Sequence, residues 1–181
     1  MGDSGLIPPA EPDAPWDIVF LDRDGTLNER LPGYVDHPDR LVLLPGAAQA
    51  VARLNRAGCR VVLVTNQRGL ATGALSWPQW YAVTRRMSGL LASVGAHIDH
   101  IEVCPHQVGT CQCRKPAPGL FRAALAAAPW ARAERCAMVG DMPSDVTPAQ
   151  KLGMRTVLLG QEAADVREAV DLLLQQDALD R

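Results

Sequence analysis

Five short runs, 17–22 (DIVFLD), 60–66 (RVVLVTN), 98–104 (IDHIEVC), 136–141 (CAMVGD) and 155–160 (RTVLLG), constrain this chain most. Most are nearly continuous in apolar residues, the pattern of strands buried on both faces. Segments with helical punctuation separate them. The stretch 45–58 has Pro45 early and Gly58 at its end, the places where proline and glycine suit a helix. The stretch 76–95 opens on Ser76 as N-cap with Pro78 in the first turn. Further helices are expected over 118–128, 144–153 and 162–176. Repeated βα alternation implies an α/β fold, a Rossmann-like parallel sheet with helices on both faces. Ligands of such sheets bind beyond the carboxyl ends of the strands. That rule gathers Asp22 to Asp24, Thr65 and Asn66, Arg114 and Lys115, and Asp141 to Asp145.

The chain has 181 residues, which suits one domain. Its first fifteen residues are rich in proline, glycine and acids and are expected to be a disordered tail, leaving 16–181 as the domain. The formal net charge is -2, with no basic stripe, so nucleic acid and anionic membranes are not expected as partners. No apolar run approaches the roughly 20 residues of a membrane span. No secretory start is present, so the cytoplasm is expected, and the lack of an obvious apolar cap leads to the expectation of a monomer.

Asp22 closes the first run and Asp24 follows two residues later, with Gly25 next. Two carboxylates so placed can divide labour, one as nucleophile or metal ligand, the other as general acid and base. Asp-Gly is also ordinary turn chemistry. Asp141, at the end of another strand, adds a carboxylate, and such a cluster suits Mg²⁺.

Cys104, His106, Cys111 and Cys113 lie within ten residues. Three thiolates and an imidazole form a closed tetrahedral set for structural zinc. Free thiols, or one disulfide with a bystander histidine, are the alternatives. Cys59 and Cys136 flank strands and read as buried thiols; His97 and His100 read as ordinary surface or half-buried residues. Arg114 and Lys115 follow the cluster directly, so zinc there would fix where both cations point. Lysine is otherwise found only at position 151 in a chain that prefers arginine. A compact ammonium suits a small phosphoryl group beside a metal better than a wide guanidinium does.

The stretches DRDGT, VTN, RKP and VGDMPSD, in this order and spacing, resemble the four motifs of the haloacid dehalogenase superfamily. The resemblance spans about 17–160 and implies a phosphatase that works in two steps. Asp22 would attack phosphorus and form an aspartyl-phosphate. Asp24 would protonate the leaving oxygen and later take a proton from water. Mg²⁺ would be held by Asp22, the Asp24 carbonyl and Asp141, while Thr65 and Lys115 would bind phosphoryl oxygens. The stretches where large cap insertions would lie are short, so an open site is expected, closed over by the loop LPGYVDHP and the zinc loop.

Within the superfamily the chain is similar to two groups. TNQRGLATG and CRKPAPGLF look like the heptose-bisphosphate phosphatases, and the short gap between His106 and Cys111 is closer to the histidinol-phosphatases. The heptose reading implies a phosphorylated sugar held by Gly33, Tyr34, Thr65, Asn66, Gln67, Arg68, Arg114 and Lys115. Met142 stands where those enzymes usually have lysine. A catalytically silent phosphosugar-binding module would share the fold, but Asp22, Asp24, Thr65, Lys115 and Asp141 are all present.

Overall fold

A computed structural model describes residues 5–179, with side chains through residue 175. Five strands, β1 (Ile18–Leu21), β2 (Arg60–Asn66), β3 (His100–Cys104), β4 (Cys136–Gly140) and β5 (Arg155–Leu158), form one parallel sheet. The order across it is β3-β2-β1-β4-β5. The helices are α1 (Ala47–Arg56), α2 (Gly69–Thr72), α3 (Trp77–Ala92), α4 (Gly119–Ala127), α5 (Pro143–Lys151) and α6 (Val166–Leu179).

The period of two along each strand divides the core between the two faces. Val19, Leu21, Val61, Leu63, Ala137 and Val139 face α1, α3 and α6, where they meet Val51, Leu54, Val83, Met87, Leu91 and Val170. Ile18, Phe20, Val62, Val64 and Met138 face α4 and α5 and pack with Leu120, Phe121, Ala124 and Ala149. Phe20 meets Phe121 edge to face, with ring centres 5.2 Å apart, a favoured aromatic geometry. Both faces are thus covered, which is why the strands carry apolar side chains at successive positions.

Several boundaries differ from expectation by a few residues, as helix and strand ends commonly do. The last helix begins at Val166 rather than 162, because Glu162 instead accepts from the Leu158 amide and closes the turn after β5. The single-turn α2 and the 3-10 turns Pro38–Arg40 and Ala133–Arg135 were not expected.

The tail expectation needs correction from Ile7 onward; residues 1–4 lie outside the described residues. Ile7 is 2% exposed and belongs to the α4-side core. Its amide donates to Ala127 and its carbonyl accepts from Trp130 Nε1. Glu11 pairs with the Gly58 carbonyl, and Ala14 is buried in the other core. Arg60 donates to the carbonyls of Pro8 and Pro9. Two buried apolar residues, Ile7 and Ala14, and these backbone bonds outweigh a composition that is otherwise typical of disorder.

The register places the site. Leu21 pairs with Leu63 on one side and Val139 on the other. Asp22, one residue beyond, therefore lies between the carboxyl ends of the two neighbouring strands. Thr65 and Asn66 on β2, and Asp141 just past β4, end at the same edge.

Candidate active site

The ammonium of Lys115 is the centre of the arrangement. Its Nζ donates to Asp22 Oδ1 at 2.7 Å and to the Val64 carbonyl at 2.7 Å. It also lies 2.8 Å from Asp145 Oδ1. An ammonium has three protons, and each has an acceptor here. The Lys115 side chain is 1% exposed, so both ion pairs are screened little by solvent. The charges of Asp22 and Asp145 more than offset desolvation and raise the Lys115 pKa, so it stays charged. Asn66 fixes the backbone at this residue: its amide group donates to the Lys115 carbonyl and accepts from the Lys115 amide.

Asp22 is buried, and burial pushes its carboxyl up to about 6 against the opposing pull of Lys115. Asp24 behaves differently. Burial would raise it too, but Arg23, Asn28 and Gln67 hold it below the usual carboxylate range. Arg23 grips both Asp24 oxygens with Nε and Nη2, at 2.9–3.1 Å. Asn28 donates to Oδ1 at 3.0 Å and Gln67 to Oδ2 at 2.9 Å. Gln67 also donates to Thr65 Oγ1, which fixes the hydroxyl's position. Arg23 is itself buried and lies over the Trp80 ring of α3, 5.0 Å from its centre.

The carboxylates of Asp22, Asp141 and Asp145 come within 4.8 Å of one another, a donor set of hard oxygens that fits Mg²⁺. The Asp24 carbonyl adds to it. One nitrogen, Arg30 Nη2, lies 2.9 Å from that carbonyl and 2.8 Å from each Asp141 oxygen, so a single cation reaches both. Gly25 makes the approach possible. Its φ is +93°, and a Cβ there would sit 2.2 Å from Asp141 Oδ2.

The second cluster is sulfur-based. Cys104, Cys111 and Cys113 have Sγ separations of 3.4–3.6 Å, and His106 Nδ1 lies 3.2 Å from Cys113 and 3.7 Å from Cys104. A disulfide needs about 2.05 Å. These are edges of a small tetrahedron, the shape of a Cys₃His zinc site with Zn–S near 2.3 Å. All four donor atoms lie within 4.8 Å of one another. The Arg114 amide donates to Cys111 Sγ, so the cluster reaches the residue before Lys115. The same loop packs under α4: Gly119 lies against Gln112 and Cys113 so closely that a Cβ would be 2.4 Å from the Gln112 carbonyl oxygen.

Asp22, Asp24, Gly33, Tyr34, Thr65, Asn66, Gln67, Arg114 and Lys115 line one cavity of about 290 Å³. Arg114 Nη1 is buried and has no hydrogen-bond partner. Arg68 is the exception among the expected sugar-binding residues: it is exposed and reaches the cavity only through a 3.4 Å contact with the Tyr34 hydroxyl. Met142 opens onto the cavity and is 43% exposed. Three residues had been given no role from the sequence. Asp145 was visible in VGDMPSD as a second acid of the same stretch. Arg23 and Arg30 give no sequence signal, since an arginine beside acids usually reads as solvated charge. Outside the site, His97 is exposed and His100 pairs with Glu102, as ordinary residues do.

Comparison with known proteins agrees with this geometry. Residues 112–178 match the HAD-hydrolase-like family model. The chain is 36% identical over 143 residues to the D-glycero-beta-D-manno-heptose-1,7-bisphosphate 7-phosphatase of Pseudomonas putida, covering 78% of this chain and 81% of that protein. The chain belongs to this family of haloacid dehalogenase-like hydrolases. It is also 38% identical over 136 residues to the D-glycero-alpha-D-manno-heptose-1,7-bisphosphate 7-phosphatase of Mycobacterium tuberculosis, covering 74% and 72% of the two chains. The D,D-heptose 1,7-bisphosphate phosphatase of B. bronchiseptica, solved with magnesium and phosphate, superimposes with a TM-score of 0.81 at 33% identity. That match covers 88% of this chain and 98% of the other. Among the described residues no helix is long and apolar enough to cross a membrane.

Proposed function

We propose that the protein is a Mg²⁺-dependent phosphatase that removes the 7-phosphate of D-glycero-D-manno-heptose 1,7-bisphosphate. The observation that carries this reading is the meeting of Asp22, Asp141 and Asp145, with Lys115 paired to Asp22 and Asp145 in the cavity lining, in a chain of this family.

The chemistry follows from where the side chains stand. Asp22 Oδ attacks the 7-phosphorus in line, and the bond from phosphorus to the sugar oxygen breaks. The leaving oxygen takes a proton from Asp24. In the substrate-free geometry Arg23, Asn28 and Gln67 hold Asp24 as a carboxylate, so it takes up a proton with the arriving substrate before giving it to the leaving oxygen, and the same three groups stabilise the carboxylate that remains. A water then attacks the phosphorus of the aspartyl-phosphate and gives its proton to Asp24. The acyl-phosphate bond breaks and Asp22 returns as a carboxylate. Lys115 and the Thr65 hydroxyl hold the phosphoryl oxygens, and placement of this kind is most of what phosphoryl transfer needs. Mg²⁺, held by Asp22, the Asp24 carbonyl and Asp141 with Asp145 beside them, offsets the repulsion between a carboxylate nucleophile and a phosphate dianion. Zinc, held by Cys104, His106, Cys111 and Cys113, fixes the loop that carries Arg114 and Lys115. Gly33, Tyr34, Asn66 and Gln67 border the sugar, and Arg114, which also lines the cavity, takes a hydroxyl or the 1-phosphate. Arg68 acts through Tyr34.

The test is phosphate release with Mg²⁺ from both anomers of the bisphosphate and from histidinol phosphate. One anomer of the sugar should lead in kcat/KM; preference for histidinol phosphate would overturn the substrate assignment.

A further inference from the structure

The metal-binding oxygens already have a cation of the chain's own. Arg30 Nη2 lies 2.8 Å from both oxygens of Asp141 and 2.9 Å from the Asp24 carbonyl. These are the atoms that would hold Mg²⁺, which demands oxygens at about 2.0–2.1 Å. A guanidinium nitrogen and a divalent ion cannot share them, because the two cations would overlap in space and repel.

We propose that Arg30 is an internal competitor for the divalent-cation site, one that sets its affinity by occupying Asp141 and the Asp24 carbonyl until the ion displaces it. Its position allows this exchange. Arg30 follows Asn28 and Glu29, which are anchored by the Asn28–Leu43 bridge and by the Glu29 amide on Val42. It precedes the loop that carries Gly33 and Tyr34. Its side chain is 50% exposed, whereas that of Asp141 is 19% exposed, so the arginine can swing outward while the acid stays. Asp141, Asp22 and Asp145 all stabilise its charge against partial desolvation. Without a metal, the guanidinium would limit the repulsion among these acids. Once displaced, it remains at the cavity that Arg30 and Met142 both line.

The inference rests on the metal-site part of the proposed function and not on the identity of the sugar. It is tested by titrating Mg²⁺ into the zinc-loaded full chain by calorimetry, without substrate. A half-exposed ion pair is a modest competitor, so Arg30→Gln and Arg30→Ala should each tighten Mg²⁺ binding roughly two- to fivefold. In the unaltered protein the Arg30 side-chain Nε–H signal in a ¹⁵N NMR spectrum should move during the same titration, with the calorimetric midpoint. Unchanged or weaker Mg²⁺ binding in both variants would overturn the proposal, as would an Arg30 signal that ignores the ion. Loss of the sugar assignment with tightened Mg²⁺ binding would leave it standing.

Discussion

Replacing Lys115 by methionine separates what its charge does from what its bulk does. Methionine fills similar volume but leaves Asp22 Oδ1, Asp145 Oδ1 and the Val64 carbonyl without the proton donor that each meets at 2.7–2.8 Å. Removing one partner of a buried ion pair strands the other charge, at about 3–5 kcal/mol. For a chain of this size 1 kcal/mol shifts melting by about 2–4 °C, so the metal-free variant should melt roughly 10 °C lower. Millimolar Mg²⁺ should recover part of that loss, since an ion bound to the folded state stabilises it by mass action and offsets the stranded carboxylates. Turnover should fall about 10²–10³-fold even with Mg²⁺, the usual effect of losing one preorganised group that stabilises transition-state charge. Lys115→Arg keeps the charge, but a flat fork cannot aim at three acceptors that converge on one point, so most turnover should go there too. The assays are thermal melting with and without Mg²⁺ and single-turnover phosphate release. A Lys115→Met protein that melts within 2 °C of the original, or near-normal turnover in Lys115→Arg, would refute the reasoning.

Chelating zinc should lower activity and loosen 104–116 while Mg²⁺ still binds. Alkylation read by mass spectrometry should then label Cys111 and Cys113, which are partly exposed, but not Cys136, which is buried; full activity in verified zinc-free protein would refute the positioning role. At limiting Mg²⁺, kcat/KM should fall as pH drops through about 6. Asp22 attacks only when deprotonated, and its folded pKa is raised from the usual 3.8 to about 6. Saturating Mg²⁺ favours the carboxylate and should move that limb to lower pH, so a limb indifferent to Mg²⁺ would count against Asp22. Gly25→Ala should weaken Mg²⁺ binding without changing zinc content. It places a Cβ against Asp141 at a φ of +93°, a strain of about 1–3 kcal/mol. Calorimetry and metal analysis check it.

The strand runs were legible because parallel strands covered on both faces must be apolar throughout, and the four polar ends follow from the same topology. Asp22, Asp24, Thr65, Asn66 and Lys115 were legible because they terminate or follow those strands. The cluster of Cys104, His106, Cys111 and Cys113 was legible because four soft donors so close in sequence leave few uses other than a metal. Arg23 was not, because its burial depends on Trp80, 57 positions away in the chain, and on the Asp24 carboxylate turning toward it. Arg30 was not, because its contact with Asp141 spans 111 residues and follows no periodicity. The N-terminal segment misled for a related reason: composition averages over residues, whereas the buried Ile7 and Ala14 and a few backbone bonds to Ala127 and Gly58 decide its place.

The most direct measurement is ³¹P NMR of D-glycero-D-manno-heptose 1,7-bisphosphate during turnover, with the unaltered enzyme and with Asp22→Asn. The 7-phosphate signal should give way to inorganic phosphate while the 1-phosphate signal persists, only with Mg²⁺ and only while Asp22 is intact. Loss of the 1-phosphate instead, or equal turnover by Asp22→Asn, would contradict the account.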